Sequence, residues 1–136
     1  MRFDRENVEI GGYRVFASGV TTLARRLVSL LRVSPSPISV FCLNHYAMTM
    51  GRTEPEFGDS LRRADVLIPD GIFVQLAAFL NGKRISRITG YDLFWHLNQS
   101  LNRMGGCSCF FLGATEDVVT RLVTVSYTHL TLPTKA

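Results

Sequence analysis

Three short apolar runs, residues 38–43, 66–68 and 107–112, alternate with segments whose apolar residues recur at helical spacing, and this constrains the fold more than any other feature. Runs of three to six residues are too short for helices and suit strands covered on both faces, as parallel strands are. Strands alternating with helices predict an α/β fold with a parallel sheet and right-handed crossovers. At 136 residues, 46% hydrophobic and 19% charged, the chain suffices for one domain with a real core.

Along the chain, Val8-Glu9-Ile10 and Tyr13-Arg14-Val15 flank Gly11-Gly12 and read as two short strands around a tight turn. Val20, Leu23, Ala24, Leu27, Val28 and Leu31 then form a helical stripe, with Arg25, Arg26 and Ser29 on the wet side. Ser34-Pro35-Ser36-Pro37 ends that helix, and the first buried strand follows, with Asn44-His45-Tyr46 at its carboxyl end. A short helix through Ala47-Met48 and another opened by Pro55-Glu56, carrying Phe57 and Leu61, come next. After the second strand Ile72, Leu76 and Phe79, with Val74 and Leu80 beside them, recur at helical spacing and mark a helix from Ile72 to Leu80, closed by Asn81-Gly82. Leu93, Leu97 and Leu101, with Phe94 and Met104, mark a further helix ended by Gly105-Gly106. The third buried strand, residues 107–112, precedes a helix through Val118, Val119 and Leu122 that Thr115 is placed to cap.

The second strand carries the strongest functional signal. Asp65 and Asp70 bracket Val66-Leu67-Ile68, Pro69 removes a backbone donor, and Gly71 relaxes the turn. Asp70 is thereby placed between a strand's carboxyl end and a helix's amino end, where open α/β sheets bind ligands. From spacing alone, capping of the helix is the commoner use of such an Asp. Asn44, Asp70 and Gly113 close three strands and point to one crevice. A carboxylate there suits a general base, and an amide such as Asn44 suits a substrate hydroxyl or acetamido group or its own loop backbone. Arg84 and Arg87 offer paired donors to a diphosphate.

Other classes are disfavoured. Gly113-Ala114-Thr115 lacks the three-glycine dinucleotide pattern and the Gly-Lys-Ser/Thr ending of a P-loop. Lys plus Arg is 15 against 11 acidic residues, a net charge of +4, but the arginines lie in scattered pairs without a nucleic-acid recognition motif. Three cysteines, Cys42, Cys107 and Cys109, fit a reduced cytosolic setting. Cys107 and Cys109 sit two apart in the expected strand, which suits core packing, and His45 and His96 have no partner at metal spacing. The charged start, Met1 to Glu6, has no signal-peptide core and no run approaches a membrane span, which predicts a soluble chain. Residues 125–134 show no helical stripe and match the translation of a transposon-type sequencing adapter. Native sequence is therefore expected over residues 1–124, with a non-native tail at 125–136 that removes His129 from functional consideration.

Asn44, Pro55-Glu56, Ala64-Asp65, Ile68-Pro69-Asp70-Gly71, Asn81-Gly82-Lys83, Arg87-Ile88-Thr89-Gly90-Tyr91-Asp92-Leu93 and Phe111-Leu112-Gly113 together resemble the bacterial WecG/TagA/CpsF glycosyltransferase family. The resemblance runs from about Val8 to Val123 and lies in the order and spacing of the landmarks. It implies a Rossmann-like core, incomplete here at the carboxyl end. It implies inverting transfer of N-acetylmannosamine, its uronate or a related sugar from a UDP donor to a polyprenyl-diphosphate-linked acceptor in cell-surface polysaccharide or teichoic acid synthesis. No cofactor and no obligatory metal are implied.

Carried over by residue, the resemblance makes Asp70 the base that deprotonates the acceptor hydroxyl, with Asn44, Gly71 and Arg87 as substrate-binding residues. Cys42 departs from it, because many relatives have threonine two residues before the asparagine. The family's Pro-Lys-Gln-Glu segment and basic carboxyl-terminal appendage would lie beyond Thr124, so peripheral contact with the inner face of the plasma membrane is expected of the parent protein. A homo-oligomer is open. Two other readings stay open beside the enzyme: a catalytically incomplete sugar-nucleotide-binding fragment, and a non-enzymatic α/β interaction module.

Overall fold

The computed structural model describes residues 3–105 and 107–130. After a 3-10 turn at Asp4–Glu6, the order is β1 (Asn7–Ile10), β2 (Tyr13–Phe16), α1 (Val20–Val33), β3 (Val40–Leu43), α2 (His45–Thr53), α3 (Pro55–Arg63), β4 (Val66–Pro69), α4 (Ile72–Leu80), α5 (Gly90–Asn102) and α6 (Glu116–Leu130). β1 and β2 form the expected antiparallel hairpin. Its two-residue loop places Gly11 at φ 59° and Gly12 at φ 84°, a left-handed pair that side chains resist.

β3 and β4 pair in parallel, Val40 opposite Val66 through Leu43 opposite Pro69, with α2 and α3 in the crossover. Successive strand residues point to opposite faces, and both faces of β4 are covered. Val66 and Ile68 join Phe16, Leu23, Leu27, Ile88 and Leu93, a core beneath α1 and α5. Leu43 and Leu67 join Ile10, Tyr13, Val15, Ala47, Leu61, Val74 and Ala78 on the other side, beneath the hairpin, α2, α3 and α4. This two-sided cover makes the fold α/β and explains why all four residues of β4 are buried.

The lower ends of the two parallel strands are locked by one carboxylate. Asp65 Oδ2 accepts hydrogen bonds from the Ser39 N–H and hydroxyl, both at 2.9 Å, and the Asp65 N–H donates back to Ser39 Oγ at 3.1 Å. The clamp fixes the register that brings the strands' carboxyl ends level. Asp65→Ala is expected to cost about 1–2 kcal/mol, since it leaves the Ser39 donors without their charged acceptor. A urea midpoint that does not move would refute this role.

Several expectations need correction. Residues 107–112 form no strand: Phe110 and Leu112 are 89% and 91% exposed, and Cys107 and Cys109 are exposed rather than packed in a core. The segment lies beside α5 instead of joining the sheet. Phe111 meets Phe94 edge-on at 5.9 Å, and the Cys109 thiol donates to the buried Asn98 Oδ1 at 3.6 Å. Among the described residues its backbone joins no ladder. β3 is shorter than the run that announced it and is not fully buried, because its side away from β4 has no strand among the described residues; Phe41 and Cys42 are exposed.

In α4 the core face is Val74 and Ala78, while Ile72, Leu76, Phe79 and Leu80 are exposed. Leu31 likewise falls outside the buried stripe of α1. α6 continues through Thr124 and Val125 to Leu130 without the expected break, since no Gly or Pro interrupts residues 116–130. Helical continuity does not bear on the origin of residues 125–136, and 131–136 lie outside the described residues. No helix among the described residues is long and apolar enough to cross a membrane.

Candidate active site

The turn after β4 makes the site. Pro69 still pairs with the sheet through its carbonyl, which accepts the Ile88 N–H at 3.0 Å, and the Asp70 N–H reaches across to the Leu43 carbonyl at 2.9 Å. Gly71 then turns the chain at φ 110°, a conformation that favours glycine, and serves as the N-cap of α4 without a side-chain cap bond. The common use of an Asp-Gly pair is thereby absent here. Asp70 does not cap α4, and its half-buried carboxylate stays at the strand's end.

Asn44 does the opposite. It is the N-cap of α2, its Oδ1 accepting the Ala47 N–H at 2.8 Å, so the local backbone role holds for that oxygen. The amide NH2 takes no part in that cap and is the group left to address a ligand. Parallel pairing brings this helix start level with the turn after β4. Asn44, His45, Tyr46, Asp70, Gly71 and Phe73 line one open crevice of about 460 Å³.

Of the expected site residues, then, Asn44, Asp70 and Gly71 come together. Arg87 does not line this crevice. It lies on the exposed segment before α5, near enough to Asp92 for its charge to favour that carboxylate, and one residue before Ile88, which bonds the end of β4. Arg84 lines a separate groove along α4 with Ile72, Leu76, Phe79, Lys83 and Ile85. Gly113 lies on the exposed segment after residues 107–112 rather than at a strand end, so its place in the crevice falls with that strand.

Three contributors escaped the sequence reading. Tyr46 is 69% exposed at the crevice rim, and His45 packs its ring on Phe73 at 5.2 Å, joining the two helix starts across the opening. Their only signal was adjacency to Asn44. The third is the start of α5. Thr89 and Asp92 form a reciprocal capping box, Thr89 Oγ1 accepting the Asp92 N–H at 3.0 Å while Asp92 Oδ2 accepts the Thr89 N–H at 3.1 Å and its hydroxyl at 2.7 Å. The Thr89 bonds, side-chain first, hold the Asp92 carboxyl below its ordinary value. This box fixes Gly90, whose backbone lies against Cys42: a Cβ on Gly90 would stand 3.3 Å from the Cys42 sulfur.

Chemically, the arrangement presents one carboxylate, one amide, one imidazole and two aromatic walls. Among the described residues no three His, Cys, Asp or Glu side chains group closely enough to hold a metal ion. The set suits proton transfer to or from a hydroxyl and the binding of a ring-shaped polar ligand.

The model of the glycosyl transferase WecG/TagA/CpsF family matches residues 8–129. A protein of Bacillus spizizenii (strain ATCC 23059 / NRRL B-14472 / W23), named N-acetylglucosaminyldiphosphoundecaprenol N-acetyl-beta-D-mannosaminyltransferase, is 38% identical over 74 residues. That stretch is 51% of this chain and 27% of the relative, so the chain spans little more than a quarter of the length of the curated protein it matches.

Proposed function

The chain belongs to the glycosyl transferase WecG/TagA/CpsF family, and from that premise we propose that it is the amino-terminal part of an inverting glycosyltransferase. The donor is a UDP-linked N-acetylhexosamine, N-acetylmannosamine or its uronate, and the acceptor is a sugar on a polyprenyl diphosphate. The name of the Bacillus spizizenii relative, a mannosaminyltransferase acting on a diphosphoundecaprenol-linked sugar, supports this choice. The product feeds cell-surface polysaccharide or teichoic acid synthesis, and the protein works at the inner face of the plasma membrane.

The observation that carries the reading is the uncapped Asp70 carboxylate in a crevice shared with Asn44. As the acceptor oxygen forms its bond to the anomeric carbon, Asp70 takes the hydroxyl proton and the bond from that carbon to the UDP oxygen breaks. A single displacement of this kind inverts the anomeric centre. Asn44 orients the acetamido or hydroxyl groups of a sugar through its free NH2. Arg87, beside the crevice rather than in its wall, meets the diphosphate of the donor once the ligand extends across the end of β4.

A second reading rests on the short span over the relative: the 136-residue chain binds the donor without turning it over. Saturation-transfer NMR of this chain with UDP-N-acetylmannosamine, against GDP-mannose as control, tests what both readings share. Transfer to the uracil and sugar protons is expected for the first nucleotide only. No signal, or equal signals from both, would favour a non-enzymatic α/β module.

A further inference from the structure

Cys42 occupies the middle of the site's framework, and nothing in the catalytic scheme above uses it. On β3 it shares the face of Val40, toward α1 and α5, directly opposite Ile68 in the register. Asp70 lies two residues beyond Ile68, so the sulfur and the carboxylate are diagonal neighbours across the parallel pair. From the third side comes Gly90, close enough that any β-carbon there would press on the sulfur.

We infer that Cys42 is a positioning residue for Asp70: its sulfur accepts the Gly90 N–H and its S–H donates to the Asp70 carboxylate, coupling the start of α5 to the base.

The thiol's titration agrees with that geometry. It is pushed above its ordinary value first by burial, then by the negative charge of Asp70 and a hydrogen bond to it, while the hydrogen bond from the Gly90 backbone pulls the other way. The residue's surface is nonetheless open to solvent, so a small reagent reaches it. A thiol is a weak donor, but one suffices to select a rotamer of a half-buried carboxylate. With one oxygen held by Cys42, the other is aimed outward at the acceptor hydroxyl. The capping box of Thr89 and Asp92, on this account, also sets the base, since it fixes the Gly90 N–H.

The catalytic half of the inference rests on the function proposed above; the coupling of Cys42 to Asp70 does not. The two are therefore tested apart. In the chain carrying Cys107→Ser and Cys109→Ser, the rate of iodoacetamide alkylation is followed against pH, with folding checked by circular dichroism. The charged group that acts on Cys42 is Asp70 from β4; on the other elements packed here, Asp92 opens α5 beside Gly90, with Arg87 and His96 acting on Asp92, and His45 opens α2 after β3.

Asp70→Asn, which keeps the shape and removes the charge, is expected to shift the profile down in pH, and a shift of one unit raises the thiolate fraction at pH 8 roughly tenfold. Arg87→Gln is expected to leave it nearly in place. An unchanged profile in Asp70→Asn overturns the inference, and a shift in Arg87→Gln as large as that in Asp70→Asn overturns it too, because it would mark a general field and not a contact. In a transfer assay with the full-length protein, Cys42→Ala is expected to lower kcat with little change in KM, and Cys42→Ser to restore most of the loss. Equal loss in both variants overturns the positioning role. Shifted alkylation without sugar transfer by the parent would instead remove the glycosyltransferase reading and leave the pair intact.

Discussion

Asp70→Asn in the full-length protein is expected to lower kcat for sugar transfer by about 10²–10⁴-fold, the usual contribution of a positioned general base, with the donor KM within a few-fold of its starting value. The asparagine fills the same space and retains one carbonyl oxygen for the Cys42 thiol, so the geometry survives while the proton acceptor is lost. Stability should hardly change, because the side chain caps no helix and the bond that fixes this turn is made by the Asp70 backbone N–H. A variant that unfolds at the same denaturant concentration yet turns over at the original rate would remove Asp70 from catalysis. One that loses donor binding as well would make it a ligand residue.

Asp70 also shows how far a sequence reaches. Its position was legible because three local rules agree: an apolar triplet too short for a helix, a proline that ends it, and a glycine at which only a left-handed turn is comfortable. What it does there was not legible. The general preference of Asp for caps pointed one way, and the structure shows Gly71 in the cap position and the carboxylate elsewhere. Asn44 showed both outcomes at once, one amide atom spent on its helix and the other left over.

Apolar runs proved a weaker guide where pairing partners decide the outcome. Residues 66–69 and 107–112 are similarly apolar, yet only the first finds a neighbouring strand and cover on both faces. Periodicity of the α4 segment located the helix but not its core face. With one polar residue, Gln75, in nine, tertiary contacts alone select Val74 and Ala78. The placements of Cys42, Gly90 and Tyr46 depend on strand register and on a helix start forty-six residues after Asn44, which no local pattern encodes.

Register and helix packing meet again at Gly58, and here the largest effect on stability is expected. α2 and α3 cross so closely that a Cβ on Gly58 would collide with the Gly51 carbonyl oxygen, with the Gly51 carbonyl carbon 3.2 Å away. On the other side, a Cβ on Gly51 would run into the Tyr13 hydroxyl. The obstacle to Gly58→Ala is backbone, which cannot rotate aside as a side chain can. Alanine would add about 1 kcal/mol of helix propensity, but overpacking of this kind costs about 1–3 kcal/mol, and more where the backbone itself must shift. Net destabilisation is expected, a large share of the roughly 5–15 kcal/mol typical of a domain. The displaced helix is α2, whose first turn carries His45 and Tyr46 and whose cap is Asn44. Gly58→Ala should therefore weaken UDP-sugar binding at temperatures where the chain is still folded, although Gly58 does not line the crevice. Ser60→Ala, at an exposed position two residues on in the same helix, should leave both the urea midpoint and binding unchanged. If Gly58→Ala matched that control, the two helices would have room to separate, and the crevice would not depend on their close crossing.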